Sequence, residues 1–111
     1  MISYIKGELV YIGENSIVVD NNGIGYNIYV STRTTYNLPH INNDIKIFTY
    51  LDVKEDSLQL FGFLNMDELN IFNLLITVSG VGPKGALSML NDLSPSDVVL
   101  AISNQDRNAL C

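Results

Sequence analysis

The sequence predicts a β + α chain of two domains: a five-stranded barrel over residues 1–63, then an all-α helical domain over residues 64–111. Three observations predict it. Apolar and polar residues alternate with period two in short runs before residue 64. Turn residues separate these runs at irregular intervals, which suits a small closed barrel better than an open sheet. Beyond residue 64 the apolar period changes to 3.6, and capping residues open each new stripe.

Residues 2–12 alternate, with Ile2, Tyr4, Leu9 and Tyr11 set against Ser3, Lys6 and Glu8; Gly7 breaks the phase and predicts a bend or bulge in a long strand. Ile17-Val18-Val19 predicts a second, short strand. Asp20-Asn21-Asn22-Gly23 is a turn, and Asn-Gly suits positive φ. Gly25 to Val30 returns as the third strand. Thr32 to Leu38 predicts a short helical or irregular connection, ended by Pro39. Ile45, Ile47, Thr49, Leu51 and Val53 share one face of a fourth strand. After the polar turn Lys54-Glu55-Asp56-Ser57, Leu58 to Phe63 forms the fifth, in which Phe61 and Phe63 are expected to pack the barrel against the first long helix. Asn65 with Glu68 three residues on is a capping box for that helix, which runs to about Ser79 with Leu69, Phe72, Leu75, Ile76 and Val78 as its stripe. A second helix carries Ala86, Leu87, Met89 and Leu90 and reaches about Asn91. Ser94-Pro95-Ser96-Asp97 opens a third, through about Ser103, and Asn104 caps one more.

Composition narrows the function classes. The chain has 111 residues, 47% of them hydrophobic and 16% charged, enough for a packed core and against disorder. No apolar run approaches the roughly 20 residues of a membrane span. Lys6 and Glu8 sit inside the alternating N-terminal pattern, so no secretory signal is expected. The lone cysteine, Cys111, supports neither disulfide nor zinc site, and a reducing, cytoplasmic compartment is the default. No Ser/His/Asp or Cys/His set exists for nucleophilic catalysis. His40 has no second His or Cys near it in sequence, so a metal role is not expected. The six tyrosines could stack on bases if exposed, but strand positions favour a buried ring with a wet hydroxyl.

The most informative stretch is Gly80-Val81-Gly82-Pro83-Lys84-Gly85, between the two apolar helical stripes. A glycine turn there allows close approach of another backbone. Pro83 fits the first helical position, where its missing N–H costs nothing. The helix start that follows offers free N–H groups and a positive dipole end, and Lys84 adds a point charge. This pattern reads as a helix-hairpin-helix, which grips nucleic-acid phosphates without reading bases. Two other readings compete. Gly80-x-Gly82-x-x-Gly85 matches the dinucleotide fingerprint, which needs a strand before the first glycine. The glycines could also serve only to pack two helices tightly. The net charge of −6, with basic residues scattered as Lys6, Arg33, Lys46, Lys54, Lys84 and Arg107, opposes nucleic-acid binding unless local donors and repetition supply it. The alternative is a protein-interaction module, a barrel plus helices whose main role is self-assembly, with little DNA affinity.

Across its length the chain resembles the N-terminal part of the RuvA family of Holliday junction branch migration proteins. The resemblance rests on Met1-Ile2 with Lys6-Gly7, Asn22-Gly23-Ile24-Gly25-Tyr26, Phe48-Thr49, Val53-Lys54-Glu55-Asp56, Leu60-Phe61-Gly62-Phe63, Phe72-x-x-Leu75-Ile76 and Ser79 to Leu87. It implies an oligonucleotide/oligosaccharide-binding (OB) barrel followed by helix-hairpin-helix motifs. It further implies a non-catalytic subunit without cofactor or metal, assembled as a homotetramer that holds a four-way junction open. Partners implied are Holliday junction DNA, the RuvB ATPase and the RuvC resolvase, in recombination, DNA repair and the SOS response. Residues 80–85 would meet phosphates, and Glu55 and Asp56 would form an acidic pin that repels strands at the junction centre. The family's second hairpin and its C-terminal motor-binding domain have no counterpart before Cys111, so this stretch is expected to hold one hairpin and no RuvB-binding domain.

Overall fold

The structure, a computed structural model, describes residues 2–92. The helices expected from Ser94 and Asn104 onward, and Arg107 and Cys111, lie outside them. In chain order the elements are β1 (Tyr4–Ile12), β2 (Ser16–Asn21), β3 (Ile24–Tyr29), α1 (Thr32–Thr35), β4 (Asp44–Val53), β5 (Leu58–Phe63), α2 (Met66–Ser79) and α3 (Pro83–Asp92). The strands close into an OB-like barrel in the order β1-β2-β3-β5-β4, with β1 pairing back onto β4. Neighbours are antiparallel except β3 and β5, joined in parallel through Ile28↔Leu60 and Tyr29↔Phe61. Parallel neighbours need a crossover, which here is α1 with β4.

Local chemistry explains the turns. Asn22 (φ 52°) and Gly23 (φ 88°) form the two-residue turn between β2 and β3, both with the positive φ that right-twisted hairpins require. The Gly23 N–H donates to Asp20 Oδ1 at 2.9 Å. The Ser31 hydroxyl oxygen caps α1 by accepting from the Thr34 N–H at 3.1 Å.

The sequence points to Gly7 as the bend or bulge, but the register shift lies between Leu9 and Tyr11, where Val10 is the extra residue. Gly7 has another cause. It pairs with Ile45 of β4, and a Cβ there would collide with the Asp20 carbonyl oxygen of β2. Glycine thus permits close strand approach where β1 passes from one partner to the other.

The core has two parts. Ile5, Leu9, Ile17, Val19, Ile28, Val30, Ile45 and Ile47 fill the barrel. Gly62 faces this interior, where a Cβ would lie 2.5 Å from Ile28 Cγ2. Its neighbours Phe61 and Phe63 point the other way and meet Phe72 of α2, with ring centroids 5.8 and 4.8 Å away. Leu69, Ile71, Leu75, Ala86, Leu87 and Leu90 complete this second cluster, so α2 and α3 pack on the outside of the barrel through β5. The expected role of the two phenylalanines is therefore seen directly. Among the described residues no helix is long and apolar enough to cross a membrane.

Candidate nucleic-acid interface

The glycine stretch is preceded by a helix, not a strand, which removes the dinucleotide reading. Asn65 caps α2, its Oδ1 accepting from the Glu68 N–H at 2.9 Å. At the other end Gly80 takes the left-handed conformation, φ 71° and ψ 12°, and turns the chain. The Gly82 carbonyl accepts the first α3 hydrogen bond, from the Ala86 N–H at 2.9 Å. The amides of Lys84 and Gly85 precede that bond and have no carbonyl inside the helix to serve them. Pro83 occupies the first helical position as the sequence implied.

Exposure decides what these amides can reach. Gly80, Gly82, Lys84 and Gly85 are exposed, while Val81 and Pro83 are half-buried. Nothing lies within 4 Å of a Cβ added to Gly80 or Gly82, so another backbone has room to approach. Gly85 differs: a Cβ there would stand 2.5 Å from Val81 Cγ1, so this glycine allows Val81 to fold over the first turn of α3. Packing and access are therefore divided among the glycines, and the tight-packing reading holds for Gly85 alone.

Lys84 sits at the edge of a groove of about 450 Å³ between α3 and the barrel, beside Tyr29, Phe61, Leu87, Ser88 and Asn91. Its Nζ is 5.3 Å from the centroid of the Tyr29 ring. The ion pair found among the described residues is elsewhere, Lys54 to Asp52 at 3.6 Å. The Lys84 charge is thus not neutralised by a described carboxylate.

Glu55 and Asp56 occupy the tip of the β4–β5 hairpin, both exposed. The Lys54 N–H donates to the Ser57 carbonyl at 2.9 Å and closes the turn beneath them. Lys54 leans back along the strand to Asp52 and leaves the tip carboxylates without an ion pair. Behind them the last rung, Val53↔Leu58, is 64% and 70% exposed, so the one-face pattern read for β4 loses its cover at this end of the barrel. Residues 55–56 and 80–85 stand on separate turns of the fold, between β4 and β5 and between α2 and α3.

Some contributors were not legible in the sequence. Tyr29 looked like any strand tyrosine, and only its place at the β3 end beside α3 brings it to Lys84. Asn91 Oδ1 accepts from the Arg33 N–H at 3.2 Å and ties α3 to α1, a contact across 58 residues that no local pattern signals. Glu68, in the first turn of α2, is half-buried. Burial raises its carboxyl above the ordinary 4.5, and attraction to Arg33 and the Asn65 hydrogen bond partly offset this. The tyrosines divide: Tyr4, Tyr11 and Tyr36 are exposed, while Tyr26, Tyr29 and Tyr50 are half-buried. Lys46 spreads over Tyr4 and Phe48, 4.4 and 5.2 Å from their ring centroids. Among the described residues no group of three or more His, Cys, Asp or Glu could hold a metal ion.

Comparison with known proteins gives this geometry a context. A family model described as the RuvA N terminal domain matches residues 1–62. Over 110 residues, 99% of the chain, it is 49% identical to the Holliday junction branch migration complex subunit RuvA of Lachnospira eligens, covering 53% of that protein. It is 46% identical to the protein of the same name from Acetivibrio thermocellus, and 37% identical to that from Syntrophus aciditrophicus, covering 54% of each. The chain thus spans about half the length of the curated relatives it matches.

Proposed function

The chain belongs to the RuvA N-terminal domain family, and from that premise we propose that it is a DNA-binding subunit recognising four-way (Holliday) junctions through the phosphate backbone. The single observation that carries the reading is the exposed α2–α3 turn. Two open glycines, unserved amides and an ammonium without a described carboxylate partner face solvent there. Anionic oxygens are the natural ligand of such a helix start.

In this reading residues 80–85 grip phosphates, and each copy contributes one or two contacts. Affinity comes from repetition in a homotetramer. Glu55 and Asp56 act by exclusion: two exposed carboxylates at a hairpin tip repel phosphates of strands crossing the junction centre, more strongly as DNA displaces water around them. The subunit performs no chemistry of its own. Strand movement is driven by ATP hydrolysis in RuvB, with RuvC as a further partner, in recombination and repair within the cytoplasm. The barrel, residues 1–63, and the chain from residue 64 onward act as two domains with distinct tasks: one presents the pin and the other the grip.

The test is a titration of junction and duplex DNA at several salt concentrations, read by fluorescence anisotropy. Junction binding should exceed duplex binding, with log affinity falling against log salt by about 0.9 per neutralised phosphate. Lys84→Glu should weaken binding to all DNA sequences alike, since no base is read. A chain that self-associates but shows no salt-dependent DNA binding would favour the interaction-module alternative, which the net charge of −6 keeps in view.

A further inference from the structure

Lys84 is set on the first turn of α3, where fixed backbone meets a long, flexible stem. The chain has twelve carboxylates and six basic side chains, so a free ammonium has many acidic partners to choose from. A carboxylate partner would neutralise Lys84 and compete with a phosphate. The structure holds it differently, over the ring of Tyr29 at 5.3 Å. A ring face attracts a cation but carries no net charge, so the ammonium keeps its full charge while its position narrows. The ring is itself fixed. Tyr29 ends β3 opposite Phe61, their centroids 5.5 Å apart, and Phe61 lies 5.8 Å from Phe72 in the core. A row of three rings thus runs from the buried face of α2 to the lysine at the hairpin.

We infer that Tyr29 is a positioning residue: the barrel uses its ring to hold the Lys84 ammonium at the hairpin, charged and aimed for a phosphate. This rests on the phosphate-grip reading above. It assigns the barrel a part in the grip, made through a side chain that touches no DNA. The ring face matters and the hydroxyl does not.

The experiment compares junction affinity for the unaltered chain, Tyr29→Phe, Tyr29→Leu, Lys84→Met and the double variant Tyr29→Leu/Lys84→Met, with a thermal melt of each. Tyr29→Phe should bind within about twofold of the unaltered chain, and Tyr29→Leu roughly two- to fivefold more weakly, as the loss of one exposed cation–ring contact implies. In the Lys84→Met background Tyr29→Leu should add nothing, because its effect passes through the lysine. Equal losses in both backgrounds, or none beside an intact lysine, would overturn the inference and leave the phosphate grip standing. Lys84→Met binding like the unaltered chain would overturn the grip and the inference together. Should Tyr29→Leu fail to fold, proton NMR of the unaltered chain decides: upfield ring-current shifts of the Lys84 side-chain methylenes are expected, and their absence rejects the stack.

Discussion

Single residues here act through backbone angle or local charge, and two of them give direct tests. Gly80 has open space around it but a φ of 71°, so its constraint is conformational and not steric. Gly80→Ala should cost about 1 kcal/mol of stability, from placing an L side chain in the left-handed region. An unchanged denaturation midpoint would show that the turn is formed differently. Glu68 tests electrostatics. Its carboxyl is raised above 4.5 by burial, so the folded state binds that proton more tightly than the unfolded chain. Its contribution to stability therefore falls as pH rises from 4.5 through the folded value, and at neutral pH the buried charge is a net cost. Glu68→Gln should melt at an equal or higher temperature at pH 7 and lose that decline. A lower melting temperature with the decline intact contradicts the assignment. The cap itself was readable from Asn65 and Glu68 three residues apart. The shift was not, because the burial that causes it, and the Arg33 charge that partly offsets it, depend on how α2 packs in the folded chain.

At the scale of elements, two hairpins carry the proposed work and one aromatic cluster holds them on a common frame. Phe72 meets Phe61, Phe63 and Tyr50, the last at 5.3 Å, so it joins α2 to two strands. Phe72→Ala should cost about 3–5 kcal/mol and is best read by chemical denaturation. A loss under 1 kcal/mol would mean that the helices do not depend on this contact. The β4–β5 tip should behave oppositely. Glu55→Gln with Asp56→Asn removes two exposed charges and should leave the melting temperature nearly unchanged while relaxing the preference for junction over duplex. Unchanged preference and unchanged junction geometry reject the acidic pin. The elements were legible because alternation, Asn-Gly and Asn65 each specify local backbone. The bulge at Val10 was not, since it depends on how β1 meets β2, and local pattern favoured Gly7.

For the molecule as a whole, the question posed by the proposed reading is how a chain of net charge −6 would bind a polyanion. The proposed reading rests on placement: an ammonium and amides without a carbonyl partner in the helix at one turn, carboxylates exposed at another. Such a surface predicts attraction confined to the α2–α3 turn, so Lys84→Glu should lower the slope of log affinity against log salt by about one phosphate per copy. A slope unaffected by this change puts the phosphate contacts elsewhere. The sequence by itself determined the order of strands and helices, the caps, the Asn-Gly turn and the glycine stretch, because these depend on a few neighbouring residues and on periodicity. Barrel closure through a parallel β3–β5 pair, the division of the glycines between packing and access, and the meeting of Tyr29 with Lys84 were decided by tertiary structure alone. Each joins residues far apart in the chain, and which of them meet depends on how the whole fold closes.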